Sequence, residues 1–401
     1  MTQEPIHMWQ FTRLPRNVYD FLYPFKPLFR CSQARHFVIF CWLLVAIIRD
    51  PGAGTLKGLC PYLPPHLSYW ALIRMLRSGK WDAQAVMNGM ADKVLRSLPP
   101  AVDGKLYLIG DTTHKPKRGK KHPLGQVTRQ SQSSPHVFGF GMVVLVASWN
   151  GFRIPIQMAT IDPERKGHQN ILFRQMLRDF EAPSWGREIV VLGDAGYPAT
   201  ETLKLIEELG WRYVFAIPRN RKFTNGKYVR DLVQHLPKSR YRRRATTKPD
   251  GKRQDYWVYL RHAELHELGD VTIVLSKKRR NYGPNRVKII VTNRLDVSAS
   301  DVISQYSIRW GVELTIKELK SGLHLGRMQL SQDADRVERS VILPVCAYLL
   351  LIYLHGRDHG VGQGWSLFQL KQRFTESLMQ DQMTRVERKW QRKLNEIKAA
   401  A

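Results

Sequence analysis

Acidic side chains are scarce in this chain: 34 Asp and Glu stand against 63 Lys and Arg, a formal net charge of +29 over 401 residues. Self-repulsion of that size opposes compaction, so the excess has no folding purpose and calls for a polyanionic partner. Nucleic acid is the first choice and an anionic membrane surface the second. Cysteine is scarcer still. Cys31, Cys41, Cys60 and Cys346 are scattered with no CxxC pair, which excludes zinc-ligand spacing and a disulfide framework and fits reduced thiols in a cytosolic protein. Long hydrophobic runs are missing too. The apolar stretches Phe37–Ile48 and Val341–Leu354 fall short of the roughly 20 residues of a spanning helix, so both are expected to be buried core helices. The N-terminal MTQEPIHMWQ lacks the basic-then-apolar order of a signal peptide. The expectation is a soluble, cytoplasmic protein with no membrane partner. Hydrophobic residues make up 43% of the chain, enough for the cores of two or three domains.

Residues 1–100 read as all-helical. Thr55–Leu63 and Ser68–Leu76 are short helical patterns flanking the turn PYLPPHLS, with Arg74, Arg77 and Lys80 on or after the second. A helix-turn-helix and a plain helical hairpin fit equally. From Lys105 the period changes to that of strands. KLYLIGD (105–111) is a short apolar strand ending on Asp111. Residues 136–150 and 153–162 form a hairpin turning at Trp149-Asn150-Gly151. His168–Phe180 is helical, EIVVLGD (188–194) is a second apolar strand ending on Asp194, and a helix and the strand RYVFAIP (212–218) follow. The order β-β-β-α-β-α-β describes a mixed α/β sheet. Residues 223–295 alternate basic polar stretches with strands at 256–265, 271–276 and 287–293, as in a β-rich insertion. One long helix is expected from about Ser298 to Leu323, and the charged, amphipathic segment from Phe368 onward could pack on a second protomer.

In an open α/β sheet, ligands gather at the carboxyl ends of strands. If the strands ending in Asp111 and Asp194 are neighbours, their carboxylates converge. Either aspartate alone could simply cap the next turn. Two together on a strongly basic chain suggest an oxygen-ligand site for Mg²⁺, with Mn²⁺ as a substitute. A third acid comes from the helix QYSIRWGVELTIKELKSGL (305–323). At about 100° per residue, Tyr306, Arg309, Glu313, Lys317 and Lys320 share one face. Ile308, Val312, Ile316 and Leu319 fill the opposite face, and Glu318 points away from Glu313. A solvated face with an i,i+4 Glu313–Lys317 pair is the plainer alternative, but it gives no reason for the tyrosine. The run HKPKRGKK (114–121) reads as a loop after Asp111, in which Lys115, Lys117, Arg118, Lys120 and Lys121 would grip phosphates. Solvation alone is the plainer account of that loop. His114 and His168 read as polar surface residues.

The spacing Tyr306-x2-Arg309-x3-Glu313-x6-Lys320 resembles the Tyr-Arg-Glu-Lys signature of bacterial insertion-sequence transposases of the "IS four" group. GDTT (110–113), LGDAGY (192–197) and VTNRLD (291–296) look like further blocks of that family, over about residues 105–350. The resemblance implies an RNase H-like core, a mixed five-stranded sheet with flanking helices, interrupted by a β-rich insertion and preceded by an all-α domain. The corresponding divisions are a helical DNA-binding domain (1–100), the first part of the core (101–222), the insertion (223–295), the second part of the core (296–355) and a C-terminal helical segment suited to dimerisation (356–401). It also implies a catalytic, metal-binding triad of Asp111, Asp194 and Glu313, with Tyr306, Arg309 and Lys320 on DNA phosphates. The implied partners are double-stranded DNA, as terminal inverted repeats and target, and a second protomer in the DNA complex.

Phosphodiester hydrolysis and strand transfer by a DDE enzyme are in-line displacements that two metal ions can serve. In the resembled group the cut end passes through a hairpin, and a Trp of the insertion stacks the displaced base. Trp257, the only Trp in residues 220–295, is the candidate, with a place in strand core as its other reading. The expected function is therefore cut-and-paste transposition. The rivals are a domesticated DNA-binding regulator and an RNase H-like nuclease without strand transfer.

Overall fold

The computed structural model describes residues 13–30, 35–52, 54–117, 122, 124–129, 136–247, 251, 253–328, 333–355 and 366–400. Two compact units emerge: residues 1–99, 121–123 and 317–401 form one, and residues 100–120 and 124–316 the other.

The first unit contains α1 (Arg16–Leu22), α2 (Arg35–Arg49), α3 (Leu56–Leu59), α4 (Tyr69–Ser78) and α5 (Ala83–Ser97). Serine, threonine and aspartate start three of these helices. The side chains of Thr55, Ser68 and Asp82 accept from the N–H groups of Gly58, Ala71 and Ala85, satisfying donors the first turn leaves open. The run Phe37–Ile48 is the middle of α2 and is almost wholly buried. α3 runs into a short 3₁₀ turn at Cys60–Tyr62 before α4, so the expected pair of helices forms. Leu72, Met75 and Leu76 of α4 face inward, while Trp70, Arg74 and Arg77 are exposed. Later in the chain come two long helices of the same unit, covering Ala334–His355 and Leu367–Ala400. Ala334–Leu354 is long and apolar enough to cross a membrane, yet 83% of its apolar window is buried against protein. It packs on α2, α4 and α5, as a core helix does.

The second unit is built on one sheet. In chain order its strands are β1 (Lys105–Pro116), β2 (Gln126–Arg129), β3 (His136–Trp149), β4 (Phe152–Thr160), β5 (Glu188–Gly193), β6 (Arg212–Ala216), β7 (Arg242–Thr247), β8 (Arg253–Leu265), β9 (Gly269–Lys277) and β10 (Lys288–Thr292). They lie in the order β2-β3-β1-β5-β6-β10-β9-β8-β7, with β4 also on β3. β1, β5 and β6 are mutually parallel, and the other pairs are antiparallel. The β3–β4 hairpin closes through Asn150 (φ 46°) and Gly151 (φ 83°), the left-handed pair that matches the twist of two-residue hairpins. α6 (His168–Arg178) and α7 (Thr200–Glu208) join β4 to β5 and β5 to β6. α8 (Val229–His235) precedes β7. α9 (Ala299–Ile308) and α10 (Trp310–Gly322) follow β10, and the division between the two units falls within α10, after Ile316.

Four elements depart from the sequence expectation. β1 does not end at Asp111. It continues to Pro116 because β3 keeps pairing with it, from Asp111 opposite Val144 to Pro116 opposite Gly139. The polar segment 242–247 is a strand, β7, held by β8. The strands between 242 and 292 extend the sheet that carries β1, since β10 pairs with β6. The helix expected from Ser298 to Leu323 is two helices that meet at Arg309.

The helix layer leaves no room above β1. A Cβ on Gly110 would come within 2.3 Å of the Phe173 ring of α6, and Phe173 is fully buried. Gly110→Ala is expected to overpack this contact and to cost roughly 1–3 kcal/mol, read as a lower denaturant midpoint at unchanged slope. A variant as stable as the parent would show that Phe173 yields freely.

Candidate active site

β1 and β5 set the site. They are parallel, with Ile109 opposite Leu192. Continuing that register by two residues brings Asp111 level with Asp194, so the two aspartates stand side by side at one end of the sheet. Each is held by the backbone just after it. The Thr112 N–H donates to Asp111 Oδ1 at 2.8 Å, and the Gly196 N–H donates to Asp194 Oδ1 at 2.8 Å. The Tyr197 hydroxyl and Thr112 Oγ1, 2.6 Å apart, tie the loop after β5 to β1. Tyr197 is buried under Phe173, ring centroids 4.6 Å apart.

The third carboxylate arrives from the helices. Arg309, at the junction of α9 and α10, donates from Nη1 to Asp111 Oδ2 at 3.4 Å, and from Nη2 to Glu313 Oε1. One guanidinium thus connects the acid on β1 to the acid on α10. Such a planar fork serves two carboxylates where a point charge serves one. Tyr306 is buried, with its ring centroid 5.8 Å from the Arg309 guanidinium. Lys288, at the start of β10, brings a second cation to that ring at 4.9 Å. Glu318 takes the other direction and accepts from the Tyr348 hydroxyl at 3.3 Å.

Electrostatics mark Asp111 as the strained member. Burial pushes its pKa from the ordinary 3.8 to about 6. The Thr112 N–H and Arg309 pull it down, and the neighbouring charges of Asp194 and Glu313 raise it. The pKa of Arg309 rises: burial alone would lower it, but Tyr306, Glu313 and Asp111 outweigh that. Lys288 belongs to an exposed residue, yet shielding of its amine and the charge of Arg309 lower its pKa, partly offset by Glu313 and Asp194. The shift of Asp111 puts Asp194 and Glu313 within its field. An oxygen-only donor set of this kind suits Mg²⁺ or Mn²⁺ rather than a soft metal. Among the described residues, no three His, Cys, Asp or Glu side chains are placed together so as to hold a metal ion; here Arg309 bonds both Asp111 and Glu313.

The remaining candidates divide. Lys317 is exposed and Lys320 half-buried, one and two turns beyond Glu313 on α10, and burial lowers the pKa of Lys320. Trp257 is half-buried on β8, opposite Arg243 and Lys277, with the Arg280 guanidinium 5.3 Å from its ring. Lys115 is corrected: it is 2% exposed, within β1 rather than a loop. Alternation along β1 turns Thr113 and Lys115 inward, and burial drops the pKa of Lys115 to about 7. Lys117 sits at the strand's end, 5.2 Å from the Phe140 ring. Arg118, Lys120 and Lys121 lie outside the described residues. His168 is also corrected, being buried with Nδ1 accepting from the Asp162 N–H at 2.8 Å. Sequence reasoning gave no individual role to Thr112 or Tyr197, although GDTT and LGDAGY contain them, and it missed Lys288, whose position has no spacing signal.

Residues 102–350 match the family model described as Transposase DDE domain. Among solved structures, the chain is similar to the piggyBac transposase in its synaptic complex with hairpin DNA, determined by cryo-EM. That similarity has 12% identity and a TM-score of 0.51, and covers 92% of this chain and 78% of the other. At that identity the likeness is one of fold. No curated protein sequence matches the chain.

Proposed function

The chain belongs to the transposase DDE family, and from that premise we propose that it excises an insertion sequence at its terminal inverted repeats and joins the freed 3′-OH ends to target DNA. The observation that supports this reading is Asp111 standing level with Asp194 at one end of the sheet and linked to Glu313 through Arg309. The order β4-β3-β1-β5-β6, antiparallel on one side of β1 and parallel on the other, supports an RNase H-like core. Strands beyond β6 would then be the β-rich insertion of residues 223–295.

Asp111, Asp194 and Glu313 would hold two Mg²⁺ or Mn²⁺ ions, which when bound supply Lewis acidity and activation of the attacking oxygen. The chain's own residues do the rest. Thr112 and Gly196 N–H groups fix the two aspartates as acceptors. Arg309 holds Asp111 and Glu313, while Tyr306, Lys317 and Lys320 offer a hydroxyl and two point charges to phosphates along the DNA backbone. Lys117 adds a further cation to that grip. Trp257, backed by Arg280, stacks a displaced base at a hairpin end, a reading encouraged by the hairpin DNA in the piggyBac complex. Placement in the "IS four" group rests on the Tyr306-x2-Arg309-x3-Glu313-x6-Lys320 spacing. Residues 1–100 would recognise the terminal repeats, and residues 356–401 would pair two protomers so that both ends are held together, in the cytoplasm and on the nucleoid.

The test is cleavage of duplex DNA carrying the element's terminal inverted repeats, with and without Mg²⁺, with Glu313→Ala as the control. Metal-dependent nicking followed by hairpin or strand-transfer products is expected from the parent and none from the variant. Nicking without transfer would point to a simple nuclease. Salt-sensitive binding without cutting would point to a regulator.

A further inference from the structure

We propose that Lys288 is a DNA ligand of the active site, holding a backbone phosphate beside the scissile one. The proposal rests on the DNA-cutting reading above and adds a residue outside the signature helix.

Register locates it. Gly193 lies opposite Phe215, so Asp194 is level with Ala216, and Ala216 lies opposite Ile290 on β10. β10 is antiparallel to β6, so Lys288, two residues earlier, stands just beyond the aspartates at the same rim. Its side chain alternates onto the same face as Ile290. The amine lies 4.9 Å from the Tyr306 ring centroid, and the Arg309 guanidinium is 5.8 Å from the same ring. Two cations therefore share one aromatic support at the edge of the acidic cluster.

Their charges are used differently. Arg309 is committed to Asp111 and Glu313. Lys288 makes no ion pair with any carboxylate among the described residues, although Asp194 and Glu313 are near enough to influence it. Placing a lysine beside Arg309 and Lys278 costs like-charge repulsion, which an arriving anion removes. Divalent ions on the three acids would add positive charge to the same rim and strengthen its pull on an arriving anion. A phosphodiester fits: singly charged, accepting from a point donor, and delivered with the substrate. The Tyr306 ring also limits the freedom of the lysine, lowering the entropy lost on contact. The plainer account is a solvated lysine whose stem rests on an aromatic ring. That account gives Lys288 no effect on DNA.

K288M and K288R of the full chain separate the two. On terminal-repeat duplex with Mg²⁺, K288M is expected to cut roughly 10- to 100-fold more slowly at subsaturating enzyme, and K288R to keep most of the rate. In metal-free binding, the slope of log affinity against log salt should become shallower by about one for K288M and stay unchanged for K288R. The exposed position predicts parental melting temperatures for both. Equal salt slopes for K288M and the parent overturn the proposal whether or not the parent cuts. A parent that binds but never cuts overturns the transposition reading and leaves the slope comparison to judge Lys288.

Discussion

Asp111→Asn is expected to abolish DNA cleavage, by about a thousandfold or more, while leaving DNA binding intact. Asparagine keeps the shape and the acceptor toward the Thr112 N–H but brings no negative charge to a divalent ion. Losing several kcal/mol of that interaction is worth this factor, at tenfold per 1.36 kcal/mol. The same change should stabilise the metal-free protein above pH 4. Asp111 has a folded-state pKa of about 6 against an ordinary 3.8, so the native state holds its proton more tightly than the unfolded chain. For a raised carboxyl, stability falls as pH rises from the unfolded value through the folded one. The parent therefore loses stability relative to Asp111→Asn between about pH 4 and pH 6 and stays behind above it. Melting temperatures of both proteins across that range, without metal, measure the difference. Cleavage within tenfold of the parent, or a parent that gains on the variant as pH rises, would refute the role.

Much of this site could be read from residues alone, and the failures share a cause. Apolar runs report which stretch of strand lies under a helix, not how far its hydrogen bonding continues. KLYLIG stops being apolar at Gly110, where Phe173 covers the sheet, yet β3 carries the pairing to Pro116. That hidden extension made Lys115 look like part of a basic loop, when strand alternation buries it. β7 escaped notice for the complementary reason. Arg242, Arg243 and Arg244 are all exposed, so no period of two appears, and the strand exists because β8 supplies its partners. The helix face was legible in part: Val312 and Leu319 are buried as expected, but Ile308 and Ile316 are only half-buried and Tyr306, expected on the polar face, is buried. What spacing could not give is Lys288, brought to Tyr306 only by the order of strands in the sheet.

Arg309 is the second position where a large effect is expected, and lysine should not rescue it. Arg309→Met is expected to slow cleavage by roughly 10²- to 10³-fold, the range for removing one fixed donor from a reacting site. Arg309→Lys should lose nearly as much, because a single ammonium cannot bond Asp111 and Glu313 together. The stability cost is about 3 kcal/mol, the low end for breaking a buried ion pair, since the Glu313 side chain is 33% exposed. The more diagnostic change is in Asp111. Arg309 is one of two groups that lower its pKa, and Asp194 and Glu313 raise it. Without the guanidinium, that pKa must climb above its present value of about 6. At a fixed pH near 6 a smaller fraction is then ionised, and a proton competes harder with a divalent cation. The midpoint of Mn²⁺ binding against pH, followed by electron paramagnetic resonance, should therefore move upward in Arg309→Met. A packing role alone would lower the melting temperature and leave that midpoint in place. If the midpoint stays put, or if Arg309→Lys cuts like the parent, Arg309 does not organise the acids, and its bonds to Asp111 and Glu313 are incidental to the chemistry.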